Sequence, residues 1–168
     1  MIVISDTTPI ISLIKADKLE LLQKLFHVVM VPKAVYEELT ENEEFSKEAD
    51  LVKDCSYLVS VNVENLASVN ILRNVTGLDA GESEALVLYG EQNADLLLID
   101  ENKGRRVAKQ MEVKHIGTVG ILIMACDKGI LKPEEVAESL DVMLKSEIRL
   151  SRSLCNKVLE RIGFKTKY

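Results

Sequence analysis

Two aspartates stand where short apolar runs end. Ile2-Val3-Ile4-Ser5 gives way to Asp6, and Leu96-Leu97-Leu98-Ile99 gives way to Asp100. If both runs are parallel strands of one sheet, the two carboxylates emerge at the same edge. Carboxylates about 4 Å apart repel by roughly 4 kcal/mol at an effective dielectric near 20. Such a site either keeps one acid protonated or binds a cation. Carboxylate and water ligands suit hard divalent ions such as Mg²⁺ and Mn²⁺.

Each acid also has a local role open to it. Ser5-Asp6-Thr7-Thr8 is rich in helix-capping residues, and Asp100 precedes Asn102 and Gly104 in a segment suited to a turn. Singly, either aspartate reads as structural; as a pair at equivalent strand ends they read as a site. Glu37 and Glu38 lie about two turns into a helix and by position read as surface residues. Asp79-Ala80-Gly81-Glu82 before an apolar helix is a capping-box pattern. It favours a cap for Asp79 and leaves Glu82 open, while Glu84 points elsewhere on the helix.

The elements that would carry these residues alternate. Met1 to Ser5, Val28 to Val31, Tyr57 to Val63, Asp95 to Ile99 and Val113 to Ile116 read as strands. Between Pro9 and Leu25, helical spacing predicts two short helices meeting at an N-cap on Asp17. Pro32 leads a helix through Leu39, followed by a polar, acidic connection at 40–45. Further helices are predicted at Ser46 to Lys53, Ala80 to Gly90, Lys103 to Met111 and Thr118 to Lys128, the last stopped by Gly129. Pro133 to Lys145 and Ser151 to Ile162 form a closing helical pair. Strands separated by helices imply a mainly parallel sheet covered on both faces. Ligand sites in such sheets lie beyond the carboxyl ends of the strands.

Bulk properties narrow the classes. A chain of 168 residues with 47% hydrophobic content suits one domain, and no Gly/Ser-rich or Pro-rich linker divides it. Apolar runs such as Leu96 to Ile99 are far too short to span a membrane, and the N-terminus does not read as a signal peptide. Cys55, Cys126 and Cys155 form no CxxC pair and fit reduced thiols in the cytoplasm. His27 and His115 leave little material for a His-rich metal site or a Ser-His-Asp triad. The net charge of −6 argues either against a nucleic-acid partner or for carboxylates gathered around metal.

The ordered segments resemble a PIN domain. Ile2-Val3-Ile4-Ser5-Asp6-Thr7-Thr8-Pro9 and Val31-Pro32-Lys33-Ala34-Val35-Tyr36-Glu37-Glu38-Leu39 look like its opening. Gly77-Leu78-Asp79-Ala80-Gly81-Glu82-Ser83-Glu84-Ala85, Leu97-Leu98-Ile99-Asp100-Glu101, Gly104-Arg105-Arg106-Val107-Ala108 and Ile116-Gly117-Thr118-Val119-Gly120 continue it in order. The closing helices resemble the tail of a VapC-like subgroup. The expected fold is therefore an α/β, parallel-sheet PIN-like domain with helices on both faces. It would span 1–168 as one domain, with a core over about 1–130 and a helical extension over about 131–168.

The resemblance implies a metal-dependent endoribonuclease, often the toxin of a toxin–antitoxin pair. Carried over by position, Asp6, Glu38, Glu82 and Asp100 would be the catalytic acids holding Mg or Mn, with Asp79 the alternative for the third role. A metal lowers the pKa of its bound water and neutralises charge on a phosphate, so no histidine base is required. Thr7 or Thr118 could bind a water or phosphate at a helix N-terminus, or act as a local cap. Lys103, Arg105, Arg106 and Lys109 form the clearest basic cluster, able to receive RNA phosphates or to solvate a helix face. The implied partners are RNA, an antitoxin protein and a second copy of the chain. Two competitors stand beside this reading: a non-catalytic PIN-like protein-binding module, and, ranked below it, a phosphotransfer domain. The D-x-D-x-T/V pattern of an aspartyl nucleophile is absent around Asp6.

Overall fold

Short β-branched and leucine-rich runs build the sheet. The computed structural model describes residues 1–146, 148 and 150–164. Among these residues the strands are β1 (Val3–Ser5), β2 (Val29–Pro32), β3 (Leu58–Val61), β4 (Leu96–Leu98) and β5 (His115–Ile116). They pair in parallel in the order β3-β2-β1-β4-β5. The chain builds outward from β1 in one direction through β2 and β3, then returns to build through β4 and β5. β1 and β4 are thus neighbours across the reversal point, where open α/β sheets leave a crevice beyond their carboxyl ends.

Helices cover both faces. They are α1 (Thr7–Lys15), α2 (Leu21–Phe26), α3 (Lys33–Glu41), α4 (Ser46–Lys53), α5 (Leu66–Thr76), α6 (Ala80–Glu91), α7 (Asn102–Gln110), α8 (Thr118–Asp127), α9 (Pro133–Lys145) and α10 (Arg152–Arg161). Successive strand residues point to opposite faces. Val3, Val29, Val31, Leu96 and Leu98 join one core cluster with α1, α2, α8, α9 and α10. Ile4, Leu97 and Ile99 join the other, with α5, α6 and α7. Burial on both sides explains why these strands are apolar without alternation.

The closing helices belong to the first cluster, through Val136, Leu140, Met143, Cys155, Val158 and Leu159. The last four residues of the expected extension, 165–168, lie outside the described residues. Among the described residues no helix is long and apolar enough to cross a membrane.

Two local readings change. Asp17 does not cap α2. It sits at φ 54°, while its N–H donates to Ile14 O and that of Lys18 to Leu13 O. This is a Schellman stop at the end of α1, and aspartate tolerates the left-handed conformation there; the N-cap position of α2 belongs to Glu20. The second change is α5, in a stretch to which the sequence pattern assigns no element. Its Leu66, Ile71 and Val75 are exposed and only Val69 is fully buried, so no clean apolar stripe marks it. Its start is fixed by Asn65, which accepts from Ser68 N, and by Glu91, which accepts from Glu64 N and Asn65 N.

Candidate active site

Asp6 continues the ladder one residue past β1. Its N–H donates to Leu98 O at 3.0 Å. With Ser5 opposite Leu98, Asp6 leaves the sheet beside Ile99, and Asp100 follows one residue further on the adjacent strand. The two acids thus share one edge, at the reversal point of the topology. Asp6 is 4% exposed and occupies the N-cap position of α1, yet its side chain makes no capping hydrogen bond. Burial pushes its carboxyl well above the usual range, and the nearby charges of Asp79, Glu82 and Glu38 push it further; the Thr7 amide counteracts part of this.

Glu38 reaches the same place from α3. Its Oε2 accepts from Thr7 Oγ1 at 2.6 Å, so a residue that by position reads as surface is tied to the residue beside Asp6. Glu37 is the surface glutamate of the two, paired with Lys33 at 3.3 Å. The hydroxyl of Thr7 is thereby committed to a carboxylate.

Asp79 and Glu82 open α6 as a full capping box. Asp79 Oδ1 accepts from Glu82 N at 2.8 Å, and Glu82 Oε2 accepts from Asp79 N at 3.3 Å. The capping role favoured for Asp79 is present, but it occupies only half of the Glu82 carboxylate. Glu82 Oε1 is buried without a hydrogen-bond partner. Burial raises the Glu82 carboxyl; Asp79 and Glu101 add to the rise, while the Asp79 backbone N–H and Lys103 oppose it. A buried carboxylate oxygen without a partner is costly unless a proton or a cation neutralises it.

Close backbone approach packs the acids together. A Cβ at Gly81 would lie 3.2 Å from Val35 Cγ2, 3.5 Å from Asp6 Oδ1 and 3.6 Å from Asp79 Oδ1. Two carboxylates and α3 therefore meet at the first turn of α6, where only a hydrogen fits comfortably. Gly104 does the same for α7: a Cβ there would clash with Ile99 Cδ1 and lie 2.7 Å from Glu82 Oε1.

Asp100 is held by the start of α8. Its Oδ1 accepts from Thr118 N at 2.8 Å and its Oδ2 from Thr118 Oγ1 at 2.5 Å. Burial raises its carboxyl, against the lowering effect of the Thr118 hydroxyl and amide and of Arg105. Arg105 Nη1 also donates to Ile99 O at 3.4 Å. Of the two hydroxyls considered from sequence, Thr118 is thus bound to an acid, as Thr7 is.

Of the basic residues, Lys103 donates to the Gly77 carbonyl and Arg105 faces Asp100. Arg106 and Lys109 are exposed. Glu84, set aside by helix spacing, has a role that spacing does not signal: its Oε2 accepts from Ala34 N on α3.

The structure therefore brings Glu38, Asp79 and Glu82 near enough to Asp6 for their charges to act on its carboxyl, and Asp79 acts on Glu82 as well. Asp100 stands at the same sheet edge, with Arg105 as its chief charged neighbour. Among the described residues no three His, Cys, Asp or Glu side chains stand close enough to chelate one ion directly. One or two of these carboxylates could serve a hard ion that keeps several waters, and Glu82 Oε1 is the carboxylate oxygen left buried without a partner.

Residues 2–164 match a family model described as a PIN domain. None of the curated proteins matches the chain.

Proposed function

We propose, from the premise that this chain belongs to the PIN-domain family, that it is a metal-dependent endoribonuclease that hydrolyses RNA phosphodiesters. The observation that carries the reading is the buried, partnerless Oε1 of Glu82, in the same charged group as the buried Asp6 beyond the β1–β4 edge. Such a group is stabilised by a cation and destabilised without one.

In this reading Asp6 and Glu82 hold Mg²⁺ or Mn²⁺, with Glu38 and Asp100 as further acids and Asp79 primarily the cap of α6. The ion supplies a water of lowered pKa and neutralises charge on the phosphate. The chain's own contribution is to aim the acids. Thr7 orients Glu38, Thr118 orients Asp100, and the capping box fixes one oxygen of Glu82 so that the other faces inward. Arg106 and Lys109, with Lys103 and Arg105, place positive charge beside Asp100 for the RNA backbone.

The finer biology belongs to the same proposal. The protein acts as the toxin of a toxin–antitoxin pair, in the cytoplasm, where its free cysteines suit a reducing compartment. It self-associates as a homodimer, for which Ile71 and Val75, one turn apart and exposed on α5, offer a small apolar patch. Sedimentation that stays monomeric across micromolar concentrations would count against the dimer. Growth arrest on expression, relieved by the product of an adjacent small gene, would support the toxin role.

The deciding assay compares wild type with Asp6→Asn on one RNA panel, with Mg²⁺ or Mn²⁺ and with EDTA. Cleavage that needs the ion and falls by about 100-fold or more in the variant supports the reading. Cleavage that persists equally in EDTA or in the variant overturns it. A wild type that neither cuts RNA nor binds Mn²⁺ favours the protein-binding module instead.

A further inference from the structure

We propose that Glu84 is a positioning residue: it latches the start of α3 to α6 and so sets Glu38 against the acid group. The inference rests on the nuclease reading for its consequence, and on hydrogen bonds for its geometry.

α3 begins without local help. Pro32 occupies its N-cap position and provides no side-chain cap, and no acidic residue lies in the first turn. A helix start leaves backbone N–H groups without intrahelical partners, and it favours negative charge nearby. Glu84, half-buried on α6 and fifty residues away, fills that role: its Oε2 accepts from Ala34 N at 3.0 Å. A carboxylate from a neighbouring helix thus does what a cap normally does.

The position of that latch matters. Ala34 and Glu38 are four residues apart and lie one above the other on the same face of α3. Glu84 holds the first end of this face and Thr7 holds the second, through the 2.6 Å bond to Glu38. Between them Val35 is fully buried, against the bare Gly81 that opens the way to Asp6 and Asp79. Glu82 and Glu84 sit on the same short stretch of α6. One helix therefore presents an acid to the site directly and fixes a second acid by way of its neighbour. Releasing Glu84 would let the start of α3 move and weaken the aim of Glu38.

The test uses the full chain with Glu84→Ala, Glu84→Gln, Glu38→Gln and the Glu84→Ala/Glu38→Gln double variant. Mn²⁺ affinity is measured by calorimetry, and amide positions by two-dimensional NMR of the metal-free proteins. Glu84→Ala should weaken Mn²⁺ binding about tenfold, in the range seen for groups that orient metal ligands. Glu84→Gln should restore most of the loss, because its amide oxygen still accepts from Ala34 N–H. In the Glu38→Gln background the same Ala substitution should have much less effect, since coupled residues are non-additive. The metal-free Glu84→Ala protein should show displaced Thr7 and Glu38 amide signals and faster exchange at Ala34. Unmoved signals, equal loss in the Glu38→Gln background, or a Gln variant as weak as the Ala variant would each overturn the proposal. If Glu84→Ala loses its cooperative melt, Glu84→Asp, with its shorter reach, takes its place in every arm. A wild type that binds no Mn²⁺ would overturn the nuclease reading alone, and the NMR arm would still decide the latch.

Discussion

Thr7 Oγ1 donates to Glu38 Oε2 at 2.6 Å, joining the first residue of α1 to a helix that enters from another part of the chain. Thr7 is buried and Glu38 half-buried, so the bond fastens α3 to the start of α1 beside Asp6. Thr7→Val should cost about 1.5–3 kcal/mol, as expected for a hydrogen bond to a charged group. For a domain of this size each kcal/mol lowers the Tm by about 2–4 °C. Thr7→Ser, which keeps the hydroxyl, should lose much less. Equal melting of the Val and Ser variants would mean that the bond contributes nothing.

Asp6→Asn should raise the stability of the metal-free protein at neutral pH. Folding raises the Asp6 carboxyl above its unfolded value, chiefly by burial. The cost of ionising it is absent below the unfolded pKa of about 3.9, grows as pH rises towards the folded value, and is complete above that. The variant should therefore melt higher than wild type at pH 7 in EDTA, and the gap should close on acidification. A gap independent of pH would assign the effect to packing.

Acidification should release Mn²⁺ earlier than it would from surface carboxylates. Burial raises Asp6, Glu82 and Asp100 alike. An ion must displace protons from such acids, so affinity should begin to fall at a pH above the ordinary carboxylate range near 4. Calorimetry in buffers of different ionisation enthalpy would detect the released protons. Affinity that stays flat down to pH 4 would contradict the raised carboxyls.

Two glycine-to-alanine changes should have opposite signs. A Cβ at Gly90, on α6, meets nothing within 4 Å, so Gly90→Ala should stabilise by about 0.5–1 kcal/mol through helix propensity. At Gly104 the same methyl meets the fully buried Ile99 and Glu82 Oε1. Gly104→Ala should destabilise by about 1–3 kcal/mol as overpacking and disturb the Glu82 oxygen. Thermal melts of both variants check the pair, and a stabilising Gly104→Ala would mean that the packing of α7 yields easily.

Among the basic residues, Arg106→Ala should weaken RNA binding and flatten its salt dependence, by about 0.7 in log–log slope for each phosphate that the guanidinium neutralises. Lys103→Ala should act more on stability, because that ammonium is committed to the Gly77 carbonyl. Binding isotherms at several salt concentrations, beside melts of each variant, separate the two effects. An unchanged slope for Arg106→Ala would remove it from the RNA surface.

By itself the sequence determined the layered α/β design, because apolar runs and helical spacing alternate and each needs a core to face. It also determined that Asp6 and Asp100 end strands, and that Asp79 and Glu82 have capping-box spacing. Those signals are local, carried by residues within a few positions of one another. The order of the strands, which makes β1 and β4 neighbours, was settled only in three dimensions. Position in the helix did not separate Glu37 from Glu38, which only the resemblance singled out; in the fold one pairs with Lys33 in solvent and the other with Thr7. Asp17 and α5 escaped for related reasons, since a left-handed stop resembles a cap in composition and an exposed apolar helix lacks a clean stripe. Glu84 gave no sequence signal at all. Its partner is a backbone N–H fifty residues away, and any residue but proline offers that donor, so only the packing of α3 on α6 could pair them.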